Sequence, residues 1–297
     1  MSLALLVPGG TGQLGHELAA AAPAGADVRA PGSAELDITN AGAVVEAVKT
    51  LAGTATQPPV VINAAAYTAV DAAETDADRA FAVNADGPRV LAAACSAHGV
   101  PLIQVSTDYV FPGDADRPYR TDEKLGPRSV YGMTKAVGEE AVLGSGARAW
   151  VVRTAWVYGA HGKNFVKTMA RLAASGEPLS VVDDQRGSPT WARDLAVGLL
   201  ELAGLVAAGK EPPTVLHATG GGDTTWCGFA RGVFEELGED PARVRPAVTS
   251  DYPRPAPRPA YSVLSDGEWR TAGLTPLRPW REALTAAFAE DGDTYRP

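Results

Sequence analysis

The sequence predicts an α/β fold, a doubly wound parallel sheet with a smaller carboxyl-terminal lobe. Three observations predict it. Apolar runs alternate with alanine-rich amphipathic stretches, the βαβ rhythm of a parallel sheet covered on both faces. The first run, Leu3-Ala4-Leu5-Leu6-Val7, leads directly into Gly9-Gly10-Thr11-Gly12-Gln13-Leu14-Gly15. After about residue 158 the composition shifts, with loop-like stretches at 159–164 and 183–190 and a proline-rich one at 251–259.

Each element follows from local pattern. Strands are expected at 3–7, 27–30, 59–63, 101–106, 149–154 and 214–217, where short β-rich apolar runs occur. The second of these, Asp27-Val28-Arg29-Ala30, is the least apolar. Helices are expected at 13–22, 41–52, 77–82, 87–97, 130–143, 192–208 and 279–289. Pro127 and Ser129 supply a stop and an N-cap before the helix at 130. Residues 1–158 with about 190–218 are assigned to a nucleotide-binding sheet, and 159–189 with 219–297 to the lobe. The proline-rich segment, followed by Tyr261-Ser262-Val263-Leu264 and a further helix, is expected to cross an ordered site.

Composition narrows the function classes. The 297 residues carry 45% hydrophobic and 21% charged side chains, ordinary for a globular protein. A net charge of −9 argues against nucleic acid or an anionic membrane as the main partner. Cys95 and Cys227 stand far apart and read as bystander thiols of a reducing compartment. His16, His98, His161 and His217 are scattered, without metal-ligand spacing. The opening apolar run is too short for a signal segment, and no other run approaches a membrane span. A cytoplasmic location is the expectation.

The glycine loop carries the first chemistry. Gly9-x-x-Gly12-x-x-Gly15 between a strand and a helix is the Rossmann-type arrangement, in which backbone approaches a pyrophosphate at a helix N-terminus. At the end of the second strand, where an acid would select NAD, the chain has Ala30-Pro31-Gly32, with Arg29 the nearby charge. A 2′-phosphate is therefore permitted, so NADPH is expected and NADH is possible. Asp37 and Ile38 suit an adenine contact, although Asp37 equally suits an Asx turn or a cap for the helix at 41. Small residues in Asn63-Ala64-Ala65-Ala66-Tyr67-Thr68 let a flat cofactor lie against a strand end.

The second chemistry is Tyr131-x-x-x-Lys135. Positions i and i+4 share a helix face, so phenol and ammonium can enter one pocket. A nearby cation stabilises phenolate, and the expectation is a Tyr131 pKa moved from about 10 toward neutrality. Such a phenol exchanges a proton with a carbonyl or alcohol. Ser106 and Thr107 end a strand at the sheet edge where ligands bind, and a hydroxyl there can share the carbonyl oxygen. In isolation the Tyr-Lys pair also fits an ordinary surface pair; behind a nucleotide loop it is a dehydrogenase signature.

With these residues in view, the chain resembles the extended short-chain dehydrogenase/reductases, and among them the dTDP-4-dehydrorhamnose reductase family. The likeness runs through Gly12-Gln13-Leu14-Gly15, Leu36-Asp37-Ile38-Thr39, Asn63 to Asp71, Ser106 to Phe111 and Tyr131-Gly132-Met133-Thr134-Lys135. It continues through Arg153 to Tyr158, Asp184 to Thr190, and Arg258-Pro259 with Ser262 and Leu264. The resemblance implies hydride delivery from NAD(P)H to C4 of dTDP-4-dehydro-L-rhamnose. Tyr131 would donate the proton, Lys135 would hold the nicotinamide ribose, and Thr107 would bind the C4 oxygen with Asp108 beside the sugar. Gly9, Thr11, Gly12, Gln13, Leu14, Gly15, Asp37, Ile38, Ala65, Ala66, Tyr67 and Thr68 would hold the cofactor. Trp156 and Asn164 would line the sugar and diphosphate side. Arg258 would grip the diphosphate, with Arg254 outside the Arg-Pro-x-x-Ser setting and of less consequence. Trp156 also suits core packing, and Arg258 a solvated surface.

One departure stands out. Some members of the family dimerise through a magnesium ion held by glutamates. Glu17 is in place, but the other two matching positions are Arg193 and Arg281, so no metal is expected and the chain reads as a monomer or a metal-independent homodimer. A dehydratase or epimerase on this fold is an alternative, but Thr107-Asp108-Tyr109 lacks the second acid of a dehydratase. A related 4-keto-sugar reductase, as in dihydrostreptose formation, uses the same trio. A non-catalytic regulatory subunit would have no need of Thr107, Tyr131 and Lys135 together.

Overall fold

Six parallel strands form the central sheet of the computed structural model, which describes residues 2–295. They are β1 (Ala4–Leu6), β2 (Asp27–Arg29), β3 (Pro59–Asn63), β4 (Leu102–Thr107), β5 (Ala149–Thr154) and β6 (Val215–His217), in the order β6-β5-β4-β3-β1-β2. Strand β1 pairs with β2 on one side and β3 on the other, so the winding reverses there. A reversal of this kind opens a crevice at the carboxyl ends of the strands, where open α/β sheets bind ligands.

Except at the edge strand β2, both sheet faces are buried, which explains why the strands read as continuous apolar runs. Leu3, Leu5 and Val7 face one core with α1 (Gln13–Ala21) and α6 (Ala192–Ala207). Ala4 and Leu6 face the other with α2 (Ala41–Thr54) and α3 (Gly87–His98). The helix α4 (Val130–Leu143) packs beside α3 and over β4 and β5. Ser129 Oγ accepts from Gly132 N at 3.1 Å and so caps it, as the sequence predicts.

The glycine loop is built by contact. Gly9 has φ +84°, a left-handed conformation that favours glycine. A Cβ at Gly15 would lie 2.2 Å from Gly9 O, so only glycine lets α1 start this close to the loop.

A third core lies outside the sheet. It joins α5 (Phe165–Ala173), α7 (Trp226–Glu236) and α8 (Trp280–Tyr295) through Val166, Met169, Phe229, Val233, Leu284 and Phe288. Neither α5 nor α7 is among the helices expected from the sequence. The first has only nine residues and follows a loop; the second contains Gly228 and Gly232, which lower helix propensity. Strands Leu179–Val182 and Val244–Ala247, also unexpected, pair in parallel beside them. No helix among the described residues is long and apolar enough to cross a membrane.

Candidate active site

The carboxyl ends of β1, β3 and β4 bring the glycine loop, Asn63 to Thr68 and Thr107 to one side of the sheet. Thr11 and Gly12 are exposed, Gly9 and Gln13 half-buried, and Leu14 and Gly15 buried. Gly12 stands at the N-cap of α1 with no side-chain cap hydrogen bond. The first amides of α1 therefore have no side-chain acceptor, which suits an anion. The donor set fits a dinucleotide pyrophosphate.

Around the adenosine side the structure is more particular. Asp37 Oδ1 accepts from Thr39 N at 2.9 Å and Thr39 Oγ1 at 2.8 Å, an Asx turn whose hydrogen bonds hold its carboxyl below the usual range. Ile38 is buried against α3. Arg29 donates to Thr54 Oγ1 at 3.3 Å, at the end of α2, so it is already engaged away from the loop. Glu35 Oε2 accepts from Gly32 N at 3.0 Å. Ala65 N donates to Asn63 Oδ1 at 3.1 Å, Ala66 is half-buried, and Thr68 is exposed. Tyr67 is fixed by Asn84, which accepts from its N at 2.8 Å and donates to its O at 3.0 Å. Asn84 also donates to Thr134 Oγ1 at 3.0 Å, tying this strand end to α4. The sequence reading missed Asn84, which lies in a π-helical turn at Ala82–Asp86 with no apolar pattern to mark it.

Tyr131 and Lys135 lie on one face of α4, both buried. The expected coupling between them takes a different form. Burial pushes the Tyr131 phenol up to about 12; the Thr107 hydroxyl pulls it down and Asp108 pushes it further up. The Lys135 Nζ donates to Val105 O at 2.7 Å. Burial lowers the Lys135 ammonium to about 8, against the pull of Glu139. Thus Tyr131 is protonated throughout the neutral range, the state a proton donor requires.

Beneath this pair lies a network the sequence did not announce. Glu139, one turn beyond Lys135, receives Arg153 Nε at 3.0 and 3.1 Å and Nη2 at 2.7 Å. Arg153 Nη1 donates to Thr121 O at 3.2 Å and lies 3.3 Å from His217 Nε2. The Nδ1 of His217 is 3.1 Å from Ser265 O and donates to it, which leaves Nε2 as the acceptor facing Arg153. Burial, then Arg153, depress the His217 pKa to about 3, so the ring is neutral. The spacing Tyr131, Lys135, Glu139 was the available signal.

Asp108 is buried. Its Oδ1 accepts from Thr107 Oγ1 at 2.9 Å. Beside it Tyr109 packs edge-on to Tyr131, with ring centroids 5.5 Å apart. Tyr109 also lines a cleft of about 450 Å³ with Phe165, Met169, Trp226, Tyr252, Arg254 and Arg258. The proline-rich segment thus forms a wall of this cleft. Arg258 is not a free cation: Nη2 donates to Asp71 Oδ2 and Nη1 to Ala256 O, both at 2.9 Å. Arg254 is exposed, borders the same cleft and has no hydrogen-bonded partner among the described residues.

Trp156 and Asn164 also depart from the simple reading. Trp156 has φ +49°, a left-handed backbone rare outside glycine, and its indole stacks on Trp226 at 3.5 Å between centroids. A Cβ on Gly187 would come within 2.5 Å of that ring, so the indole is held tightly. Asn164 caps α5 by accepting from Lys167 N at 3.0 Å. Its amide hydrogens go to Gln13 Oε1 at 3.0 Å and Gly159 O at 2.7 Å. It joins the lobe to the glycine loop, and the stacked rings of His16 and His161, 4.1 Å apart, reinforce that joint.

At the remaining position of interest, Arg193 Nη1 lies 3.3 Å from Glu17 Oε2. Arg281 pairs with Glu235 and Glu236. Among the described residues no group of three or more His, Cys, Asp or Glu side chains is placed to hold a metal.

A family model described as the RmlD substrate binding domain matches residues 3–292. The chain belongs to this family, the dTDP-4-dehydrorhamnose reductases. It is 52% identical over 285 residues to a dTDP-4-dehydrorhamnose reductase of Streptomyces griseus, covering 95% of this chain and 92% of that one. It is 47% identical over 289 residues to a probable dTDP-4,6-dihydroxy-2-methyloxan-3-one 4-ketoreductase of Streptomyces antibioticus, covering 96% and 94%. Among solved structures, the dTDP-4-dehydrorhamnose reductase of Bacillus anthracis in complex with NADP matches with a TM-score of 0.90 and 35% identity, over 98% of this chain and all of that one. The family thus has the Rossmann-type sheet found here.

Proposed function

We propose that this chain is an NADPH-dependent oxidoreductase that reduces the C4 ketone of dTDP-4-dehydro-L-rhamnose to dTDP-L-rhamnose. The observation that carries the proposal is the buried Tyr131, with the Thr107 hydroxyl acting on its phenol and Lys135 on the same helix face, packed against Tyr109, which lines an apolar cleft walled by two arginines. A bound nicotinamide would supply hydride to the carbonyl carbon. The chain's own residues do the rest. Tyr131 holds a proton for the nascent C4 oxygen, and a buried, protonated phenol is a ready general acid. Lys135, held at the end of β4, is the residue for the nicotinamide ribose. The glycine loop and α1 are the site for the pyrophosphate. Asp37, Ile38, Ala65, Ala66, Tyr67 and Thr68 border the rest of the cofactor.

For the substrate, the apolar cleft suits a thymine and deoxyribose, and Arg254 and Arg258 suit the diphosphate. Because Asp71 already balances Arg258, the two arginines and this carboxylate together present one net positive charge. Trp156 and Asn164 act mainly by shaping the cleft, through the Trp156–Trp226 stack and the Gln13 joint. The Streptomyces antibioticus relative, a probable ketoreductase acting on another dTDP-linked ketone, favours a second reading in which a related nucleotide 4-keto sugar is the substrate.

The experiment is a panel of nucleotide 4-keto-6-deoxy sugars, each assayed with NADPH and NADH by loss of nicotinamide absorbance. The dTDP-4-dehydro-L-rhamnose reaction should have the highest kcat/KM. A higher value with another 4-keto sugar moves the assignment to the second reading, and no turnover with any refutes both. We further propose a monomer or metal-independent dimer, since Arg193 and Arg281 stand where two of the three carboxylates of a metal bridge would be needed, and a cytoplasmic location.

A further inference from the structure

The Thr107 hydroxyl has a single hydrogen and more than one claimant. Its Oγ1 lies 2.9 Å from Asp108 Oδ1 and 3.3 Å from Tyr109 N, and the same hydroxyl acts on the Tyr131 phenol. An ionised carboxylate can only accept. With Asp108 charged, the hydrogen of Thr107 is therefore committed to Asp108. The Oγ1 lone pair then meets the Tyr109 N–H, and no donor remains at Thr107 for a carbonyl oxygen held at Tyr131. With Asp108 protonated, the acid donates to Oγ1 and the Thr107 hydrogen is released toward the substrate.

Resting on the reductase reading above, we propose that Asp108 is a protonation-gated positioning residue: its neutral carboxyl turns the Thr107 hydroxyl toward the substrate's C4 oxygen, and its carboxylate turns it away. The surroundings favour the neutral form. Asp108 is 3% exposed. A buried carboxylate is normally held by two or three donors. Here Oδ1 takes one side-chain donor and Oδ2 has no partner, while the buried Ser262 Oγ beside it is also without one. Burial pushes the Asp108 pKa up to about 6, outweighing the Ser262 and Thr107 hydroxyls and the Asp108 and Tyr109 backbone amides, which pull it down.

The titratable groups facing this site are Tyr131 from α4, Tyr109 next in the chain, and, beyond Tyr109, the Arg258–Asp71 pair. Lys135 stands one turn further along α4, nearer Glu139. No bond to carbon changes at Asp108, and no proton leaves it during turnover. Hydride and the Tyr131 proton complete the reduction, and Asp108 sets where the Thr107 hydrogen points.

The test uses the full chain with NADPH and dTDP-4-dehydro-L-rhamnose, with kcat/KM measured from pH 5 to 9. This parameter reports ionisations of the free enzyme. The wild type should show a falling limb above about pH 6. In Asp108→Asn the amide can donate to Oγ1 as the protonated acid does, but cannot ionise. The ratio of Asp108→Asn to wild-type kcat/KM should therefore rise at least about tenfold between pH 6 and pH 8. The later limb from Lys135, near pH 8, should remain in both. In a Thr107→Val background, Asp108→Asn should leave the pH profile unchanged, because the effect travels through the lost hydroxyl. The same falling limb in Asp108→Asn as in wild type overturns the proposal, as does an undiminished Asp108→Asn effect in Thr107→Val. A wild type that oxidises no NADPH with any 4-keto sugar of the panel would instead refute the reductase reading, and this proposal with it; if another sugar of the panel is the better substrate, the same profiles are measured with that sugar.

Discussion

Replacing Arg153 with Met should destabilise this protein severely. Arg153 and Glu139 are 3% and 2% exposed, joined by three hydrogen bonds of 2.7 to 3.1 Å. Methionine approximates the arginine stem but leaves the Glu139 carboxylate without its partner in the interior. Breaking a buried pair from one side costs about 3–5 kcal/mol, because an uncompensated charge stays behind. The guanidinium also lies 4.9 Å from the Phe111 ring centroid, which adds a smaller loss. At about 2.1 cal/mol/K of unfolding entropy per residue, 297 residues give about 0.6 kcal/mol/K, so Tm should fall by about 5–8 °C. Differential scanning calorimetry measures this directly. The double replacement Arg153→Met with Glu139→Leu removes both charges and should regain most of the loss. If the single variant melts within about 1.5 °C of wild type, the network is not the internal brace inferred here. A double variant no better than the single would show that geometry, not the stranded charge, carries the cost.

Tyr131→Phe should lower kcat by at least about 100-fold while leaving NADPH binding, followed by fluorescence titration, nearly unchanged; near-normal turnover would remove Tyr131 as proton donor. Arg258→Ala should raise KM by about 10- to 200-fold, because a charged hydrogen bond is worth about 1.5–3 kcal/mol and Asp71 is left facing the diphosphate. Arg254→Ala, at an exposed and screened site, should cost less than about tenfold, and Asp71→Asn should recover part of the Arg258→Ala loss; equal small effects from both arginines would place the diphosphate elsewhere. Asp108→Asn should stabilise the fold at pH 7.5 by up to about 3 kcal/mol: the Asp108 pKa is raised from 3.8 to about 6, so the folded state holds the proton more tightly and wild-type stability falls as pH rises through that window. Urea unfolding at pH 4 and 7.5 checks it, and an unchanged difference between the two proteins across that interval would contradict it. EDTA should alter neither activity nor sedimentation, and a dimer that dissociates on chelation would overturn the metal-free reading.

Elements governed by local rules were legible in the sequence. Apart from the edge strand β2, the strands of the central sheet carry buried apolar residues on both faces, so their runs stand out without alternation. The helix at Val130–Leu143 was bounded by a proline and a serine cap, and Ser129 Oγ does cap it. The lobe was harder because its core is assembled from distant pieces. Its helices α5 and α7 are short or glycine-containing, and they become stable only by packing on each other and on α8. A strand such as Val244–Ala247 contains Pro246 and gains its identity from pairing with Leu179–Val182, 65 residues earlier in sequence.

Within the site, the distinction is between residue identity and residue commitment. Spacing alone could place Tyr131 and Lys135 on one face, and the structure does so. Spacing could not show that Lys135 donates to Val105 O, that burial dominates the Tyr131 pKa, or that Arg258 is already paired with Asp71. Those are consequences of which groups share a low-dielectric interior, and that sharing depends on chain segments far apart in sequence. The Asp71–Arg258 contact spans 187 residues and the Asn164–Gln13 joint 151. Both tie the lobe to the nucleotide-binding half beside the cleft. Several polar groups that looked like free ligands in the sequence therefore serve first as joints. The chemistry falls to the groups left with unspent capacity: the protonated phenol of Tyr131, the uncapped amides of α1, the unpaired guanidinium of Arg254, and a Thr107 hydrogen whose direction depends on its neighbour's charge.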